Sequence, residues 1–280
     1  MRIRRRVRDV TVLLAASAAV LAGCGSENAS TTDEGAASTD GPLRVGVSPV
    51  PHGEILEFID QELAADAGLE LEVVPFNDYV QPNTALQDGS LEANYFQTVP
   101  YLDNFQIEHG GEYEWIEAVH LEPLGLYSDS VESVDDLPDG ATIGVSNDPA
   151  NLNRGLQLLA DNGLISLREG TEGQATEADV EDNPRNFEFA PLEAAQLAVS
   201  LQDTDASVIN GNYAIDSGLS PADDSILLEE AEGNPNANGV VTTPELADDP
   251  RIATLVELLT SDEVRQFIEE NYDGGVLPSF

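Results

Sequence analysis

Apolar positions along the chain recur with two periods, and the switches between them mark the elements. Leu43-Arg44-Val45-Gly46-Val47 alternates as a strand does, whereas His52 to Ala67 places Ile55, Leu56, Ile59, Leu63 and Ala67 on one helical face before Gly68. Leu69 to Val74 predicts the next strand, with Asn77-Asp78-Tyr79 in the loop that follows. A helical stretch over Asn83 to Leu86 ends at Gly89, Ala93 to Gln97 is a brief strand, and Pro100 to Glu108 is a helix closed by Gly110. Two strand-like runs surround Tyr113 to Leu126. From Val134 the pattern restarts, with a turn over Asp135 to Gly140, a strand over Ala141 to Val145 and a helix over Pro149 to Asn162. A break at Asn183-Pro184, a strand at Phe187 to Phe189, a helix over Ala194 to Leu201 and a strand over Ala206 to Asn210 follow. Ile226 to Val241 holds strand and loop, and Arg251 to Asn271 one or two amphipathic helices. Such alternation predicts an α/β protein of βαβ units with mainly parallel sheet. The two groups imply a two-lobed body, with residues 42–130 and 222–280 in lobe 1 and residues 131–221 in lobe 2.

The N-terminal forty residues follow neither period. Arg2, Arg4, Arg5, Arg6 and Arg8 precede an apolar run from Val10 to Leu21, too short to span a bilayer core of about 30 Å. The run closes with Leu21-Ala22-Gly23-Cys24, the only cysteine in the chain. This looks like a bacterial lipobox: a lipoprotein signal peptide over residues 1–23, cleavage before Cys24, and acylation of its thiol and new amino terminus. Residues 24–41 are rich in Ser, Thr, Gly, Ala and acids and lack large apolar side chains, so they predict a flexible tether reaching about 23 Å. The expected location is the extracytoplasmic face of a bacterial cell membrane, held by lipid.

Charge narrows the classes of function. The chain has 280 residues, 53 acids and 11 cations, for a net charge of −42, and every cation is Arg. Beyond residue 23 only six Arg remain against 52 acids. Such a surface repels nucleic-acid phosphates and anionic lipid headgroups, so no nucleic-acid partner is expected. The acids are spread along the sequence and form no calcium-binding loop pattern, which reads as a solvated coat suited to high external salt. A single cysteine rules out an intrachain disulfide and a cysteine-based zinc site, and three histidines (His52, His109 and His120) leave little for a metal cluster. No metal, cofactor or catalysis is expected: the sequence lacks the nucleophile-elbow, phosphate-loop, zinc-protease and dinucleotide-binding motifs.

Ligands of two-lobed α/β bodies sit in the interlobe cleft, at loops leaving the carboxyl ends of strands. Asp148 and Pro149 open a helix that carries Asn151 and Arg154 in its first turns. An Arg beside a helix amino end suits a bidentate grip on a carboxylate, and equally a surface ion pair in so acidic a chain. Tyr79 and Phe96 stand at strand ends, and Asn210 and Asn238 end strands in amides, which suit a zwitterion because each both donates and accepts. The same Asn and Gly residues also suit plain turns.

Taken together, Phe76-Asn77-Asp78-Tyr79-Val80, Asn94-Tyr95-Phe96-Gln97, Pro100-Tyr101-Leu102-Asp103, Asn147 to Arg154, Val208 to Ala214 and Gly274-Gly275-Val276 resemble the NlpA/MetQ-type lipoproteins, the methionine-binding receptors of ABC importers. The similarity runs over residues 43–280. It implies a type II periplasmic-binding-protein fold that closes by hinge motion on an amino acid, as a monomer serving an ABC permease and its ATPase. By matching positions, the resemblance implies that Tyr79, Phe96 and Tyr101 wall a side-chain pocket. It further implies that Arg154, with Asn151 beside it, binds the α-carboxylate, and that Asn210 and Asn238 hold the α-amino and carboxylate groups. Aromatic faces suit a thioether, a contact of about 0.3–1.5 kcal/mol. The family commonly has His where this chain has Thr98, which leaves the ligand's side chain open. The alternatives are D-methionine, a methionine-containing dipeptide or another sulfur compound, or a lipoprotein sensor on the same fold without transport.

Overall fold

The computed structural model describes residues 41–280. The signal segment 1–23, Cys24 and all but the last residue of the expected tether lie outside the described residues.

The chain opens with strand β1 (Leu43–Val47) and then helices α1 (Glu54–Glu62) and α2 (Ala64–Ala67). The single helix expected from His52 is shorter and divided. Pro49–Gly53 forms a tight turn containing the extended Val50, and Leu63 (φ −124°) breaks the ladder between α1 and α2. Strand β2 (Leu71–Pro75), α3 (Gln81–Gln87), β3 (Ala93–Thr98), α4 (Val99–His109) and β4 (Glu114–Leu121) follow as the periodicity predicts. Then come β5 (Gly125–Tyr127), β6 (Thr142–Ser146), α5 (Pro149–Asp161), a hairpin of β7 (Ser166–Leu167) and β8 (Val180–Asp182), β9 (Glu188–Leu192), α6 (Leu197–Ser200) and β10 (Ala206–Ile209). The remainder is α7 (Gly211–Asp216), α8 (Pro221–Asp224), β11 (Leu227–Leu228), β12 (Ala237–Thr242), α9 (Pro250–Leu259), α10 (Asp262–Asn271) and β13 (Leu277–Pro278).

These strands build two main sheets, in the orders β13-β4-β12-β3-β1-β2 and β11-β5-β10-β6-β9. Only part of each sheet is parallel: β2-β1-β3 in the first and β10-β6-β9 in the second. β4, β12 and β13 in the first sheet, and β5 and β11 in the second, pair antiparallel, which corrects the mainly parallel arrangement expected. Four of these five strands, β4, β5, β11 and β12, are those through which the chain changes sheets. It leaves the first after β4, where Pro123 lacks the N–H needed to continue a ladder, and returns through residues 229–236, which hold Gly233 and Pro235.

The expected lobe boundaries shift accordingly. Gly125–Tyr127, placed with lobe 1 by the sequence, pairs with β10 in the second sheet, and so does Leu227–Leu228 with β5. Strands of three and two residues carry too little periodicity to reveal their sheet. Each sheet has its own core. Leu43, Val45 and Val47 pack with Ile55 and Ile59 and with Ile252, Leu255, Leu259, Val264 and Ile268, so the C-terminal helices return to the first sheet as expected. Ile143, Val145, Leu156, Leu159 and Val208 pack beneath the second. Burial at such positions stabilises by roughly 1.5–3 kcal/mol per large aliphatic side chain.

One backbone irregularity serves the space between the sheets. The register of β12 against β4 shifts between Asn238 and Gly239, and a Cβ on Gly239 would lie 2.3 Å from the carbonyl oxygen of Glu117 and 2.4 Å from the Trp115 ring. Only glycine permits that approach, and the bulge re-aims the neighbouring Asn238.

Candidate functional site

The ends of these elements converge on one pocket between the sheets. All eight residues singled out in the sequence line it: Tyr79 from the loop after β2, Phe96 and Thr98 from the end of β3, Tyr101 from the first turn of α4, Asn151 and Arg154 from α5, Asn210 before α7, and Asn238 from β12. Gln97, Glu122, Gly211 and Asn212 complete the lining.

The apolar wall consists of rings at mutual angles. The centroids of Tyr79 and Phe96 lie 5.9 Å apart, those of Tyr79 and Tyr101 5.6 Å, and those of Phe96 and Tyr101 6.0 Å. The Tyr101 hydroxyl donates to the carbonyl of Tyr79 (2.8 Å), which fixes the loop against α4. Thr98 is the N-cap of α4, its hydroxyl accepting from the Tyr101 amide (3.4 Å). Behind this wall Gln97 donates to Asn83 and Asn94 (2.7 and 2.8 Å) and accepts from Asn83 (2.9 Å), a buried amide cluster that holds β3 in place.

The polar wall is oriented link by link. Asp148 caps α5 by accepting from the Asn151 amide (2.9 Å), and its carboxylate, which can only accept, also takes the Asn151 Nδ2 donor (3.0 and 3.1 Å). Asn151 Oδ1 therefore faces Asn210 and receives its Nδ2 (2.7 Å). That leaves Asn210 Oδ1 buried at the pocket with no hydrogen-bond partner.

Arg154 donates from Nε and Nη2 to the two carboxylate oxygens of Glu229 (3.0 and 2.5 Å), and from Nη2 to the carbonyl of Glu122 (2.8 Å). The ion pair weighed against the carboxylate grip is thus present, and it lies at the pocket, not on an outer face. Burial raises the affinity of Glu229 for its proton, but the hydrogen bonds and charge of Arg154 outweigh it and hold the carboxyl below its ordinary range.

No sequence signal marks Glu122. This carboxylate on the first crossover is buried, and burial pushes its pKa up. It accepts from His120 Nε2 (2.7 Å) and lies 3.3 Å from His52 Nε2, which also donates to Asn238 Oδ1 (3.2 Å). Tyr95 completes the chain by donating to His120 Nδ1. Burial drives the His52 imidazole down to about 4 and that of His120 down to about 3, so both are neutral, and His120 Nε2 is the imidazole donor to the carboxylate. These three side chains are the one grouping among the described residues with metal-ligand chemistry. Their facing atoms are engaged with one another, with Tyr95 and with Asn238, the pattern of a hydrogen-bond network.

Two lobes with a pocket between them, walled by rings on one side and by amides and an ion pair on the other, define a solute-binding protein. The sequence model of the NlpA lipoprotein family matches residues 43–280, and the chain belongs to that family. It is 40% identical to the methionine-binding lipoprotein MetQ of Bacillus subtilis over 95% of this chain and 96% of that one. It is 39% identical to the D-methionine-binding lipoprotein MetQ of Escherichia coli K12, over 84% and 87%. Among solved structures, a nutrient-binding protein from Burkholderia cenocepacia bound to methionine superposes with a TM-score of 0.82 at 39% identity, covering 85% of this chain and all of that one.

Proposed function

We propose that this protein is the lipid-anchored receptor of an ABC importer. In this reading it is held through Cys24 at the extracytoplasmic face of a bacterial membrane, and it delivers L-methionine or a closely related amino acid to a permease driven by an ATPase. It performs no chemistry; closure of the lobes on the ligand is its work, and the ligand favours the closed state by its differential affinity. The observation that carries the reading is the convergence of Tyr79, Phe96, Tyr101, Asn151, Arg154, Asn210 and Asn238, from both lobes, on a single pocket. The rings suit a thioether, and the guanidinium with the amides suits an amino acid's charged end. The methionine named for the relatives supports the same ligand. Thr98, where the family commonly has His, favours a second reading in which the side chain is a different sulfur-bearing group.

Mass spectrometry of the solute released when the purified protein is denatured, followed by calorimetry with L-methionine, tests the proposal. Methionine is the expected solute, and a released compound without an amine and a carboxylate on one carbon overturns it. Replacing Cys24 by Ala should move the protein from the membrane to the soluble fraction.

A further inference from the structure

Strand β3 carries one residue too many for its partner. Asn238 pairs with Thr98 and Gly239 with Gln97, whereas Val240 pairs with Tyr95 and Val241 with Asn94, so Phe96 is a bulge that faces no residue of β12. Side chains alternate across a strand, and in an unbroken one Asn94 and Gln97 would point to opposite faces. The extra residue puts both on the side of α3, where they meet Asn83. Gln97 and Asn83 exchange hydrogen bonds in both directions, Nε2 to Oδ1 at 2.7 Å and Nδ2 to Oε1 at 2.9 Å. Asn94 closes the triangle, donating to Asn83 Oδ1 and accepting from Gln97 Nε2 (both 2.8 Å). Asn83 is itself held in place, its carbonyl accepting from the Tyr113 hydroxyl (3.1 Å).

All three carboxamides are buried, and such a group is costly unless every member is paired. Full pairing needs the bulge. In a regular strand Gln97 would share the face of Tyr95, away from Asn83, and Phe96 would turn to the side of α3. With the bulge in place the Phe96 ring lies in the pocket beside Tyr79 and Tyr101. Three apolar side chains could fill the same space, but they would set no condition on the register. We infer that Asn83, acting through Asn94 and Gln97, is a positioning residue: the triangle locks the bulge that aims the Phe96 ring at the pocket, and so sets the preference for a long, polarisable ligand side chain over a short one. The inference rests on the amino-acid reading above and extends it to the layer behind the ring wall.

The test is calorimetric titration of the full chain, freed of bound solute by dialysis, with L-methionine and, by displacement of methionine, L-alanine. The wild type should bind methionine about 100-fold more tightly than alanine, from three further heavy atoms buried among rings. Asn83→Leu keeps the bulk and removes the pairing. The methionine-to-alanine ratio should fall about tenfold, as it should in Phe96→Ala, and the double variant should lie within a fewfold of either single, because both act on one ring. A residue that merely supported the fold would weaken both amino acids alike and leave the ratio unchanged, and that result overturns the inference. So do losses in ratio that multiply in the double variant. Should Asn83→Leu not fold, Asn94→Ser, which leaves the reciprocal Asn83–Gln97 pair in place, takes its role: a ratio lowered about threefold supports the inference, and an unchanged one overturns it. Each of these failures leaves the amino-acid reading standing, whereas a wild type that binds neither amino acid overturns that reading and the inference with it.

Discussion

The guanidinium of Arg154 grips Glu229 with a two-pronged contact, Nε to Oε1 at 3.0 Å and Nη2 to Oε2 at 2.5 Å, while Nη2 also reaches the carbonyl of Glu122. Glu229 in turn accepts from the backbone amide of Leu124 (3.0 Å). Glu122 and Leu124 lie on the chain's first passage between sheets, and Glu229 begins the second. One side chain rooted in α5 therefore ties both passages to the second lobe, at the edge of the pocket. Any ligand that touches Arg154 touches the side chain that joins both passages.

Arg154→Met should consequently cost about 3 kcal/mol of unfolding free energy, because it strands the largely buried carboxylate of Glu229. Pairing it with Glu229→Met should recover much of that loss, since two apolar groups replace two charges. Methionine binding should be lost in both variants. Urea denaturation and calorimetry separate the two effects, and equal stability of single and double variants would mean the pair is not coupled.

A second contact joins the two lobes. The Tyr79 hydroxyl, from the first lobe, donates to Asn212 Oδ1 of the second (2.5 Å), and the Tyr79 ring lies 5.0 Å from that of Tyr213. Tyr79→Phe retains the ring wall and removes the bond. Affinity for methionine should fall about tenfold, carried by faster dissociation and not by slower association. Stopped-flow fluorescence reads both rates.

Thr98 stands at the position where the family resemblance leads one to expect a titratable ring, and its hydroxyl caps α4. Thr98→Ala should destabilise by about 1 kcal/mol, with Thr98→Ser nearly neutral, as thermal unfolding will show. If the pocket-facing role dominates instead, the two variants will differ in ligand affinity more than in stability.

How far the sequence spoke can be traced residue by residue. Helix α5 was plain, because Asp148, Pro149 and the Leu156–Leu159 face each carry a known signal. The pocket residues were legible as a set, since they recur in family segments; singly, Arg154 or Asn210 was indistinguishable from an ion pair or a turn. Glu122 and Glu229 were invisible. Among 53 acids, nothing in sequence separates a buried carboxylate from a solvated one, because the distinction is made by chain crossings between distant elements. His52 carries no sequence signal for the same reason: its partners Glu122 and Asn238 are 70 and 186 positions away. Gln97, Gly211 and Asn212 lie inside the segments that resemble the family, and only the fold places them at the pocket.

The buried histidines set a pH signature. In the unfolded chain an imidazole takes up its proton near pH 6.5, whereas burial holds His52 neutral to about 4 and His120 to about 3. Between those limits the unfolded state binds more protons, so the contribution of these residues is fully present above pH 6.5 and is lost as pH falls, by up to about 1.4 kcal/mol per pH unit for each. Replacing both by Gln should flatten the decline in unfolding free energy from pH 6.5 to 4.5 relative to wild type. Glu122, whose pKa is raised, works in the opposite direction, which is why the comparison between variants is the informative one. Imidazole resonances of His52 and His120 that titrate above pH 6 would contradict the assignment.

The acidic coat makes a final demand on conditions. Five of the six Arg beyond residue 23 face acids within 4 Å (Arg44 with Glu92, Arg154 with Glu229, Arg168 with Asp179, Arg185 with Asp139 and Arg251 with Asp249), while Arg265 reaches the carbonyl of Phe280 and its ring. Salt screens these attractions, and exposed pairs are worth about 0–1 kcal/mol each. It also screens the repulsion among the many acids that have no cation, and with a net charge of −42 the repulsion is the larger quantity. As the Debye length shrinks from about 10 Å at 0.1 M to 3 Å at 1 M, repulsion between neighbouring carboxylates falls away first. The melting temperature should therefore rise by about 5–10 °C between 0.1 and 1 M, equally in NaCl and KCl, since screening depends on ionic strength and not on the identity of a bound ion. A fall in melting temperature would show that the five pairs outweigh the coat. A rise in one salt only would replace screening with a specific cation site.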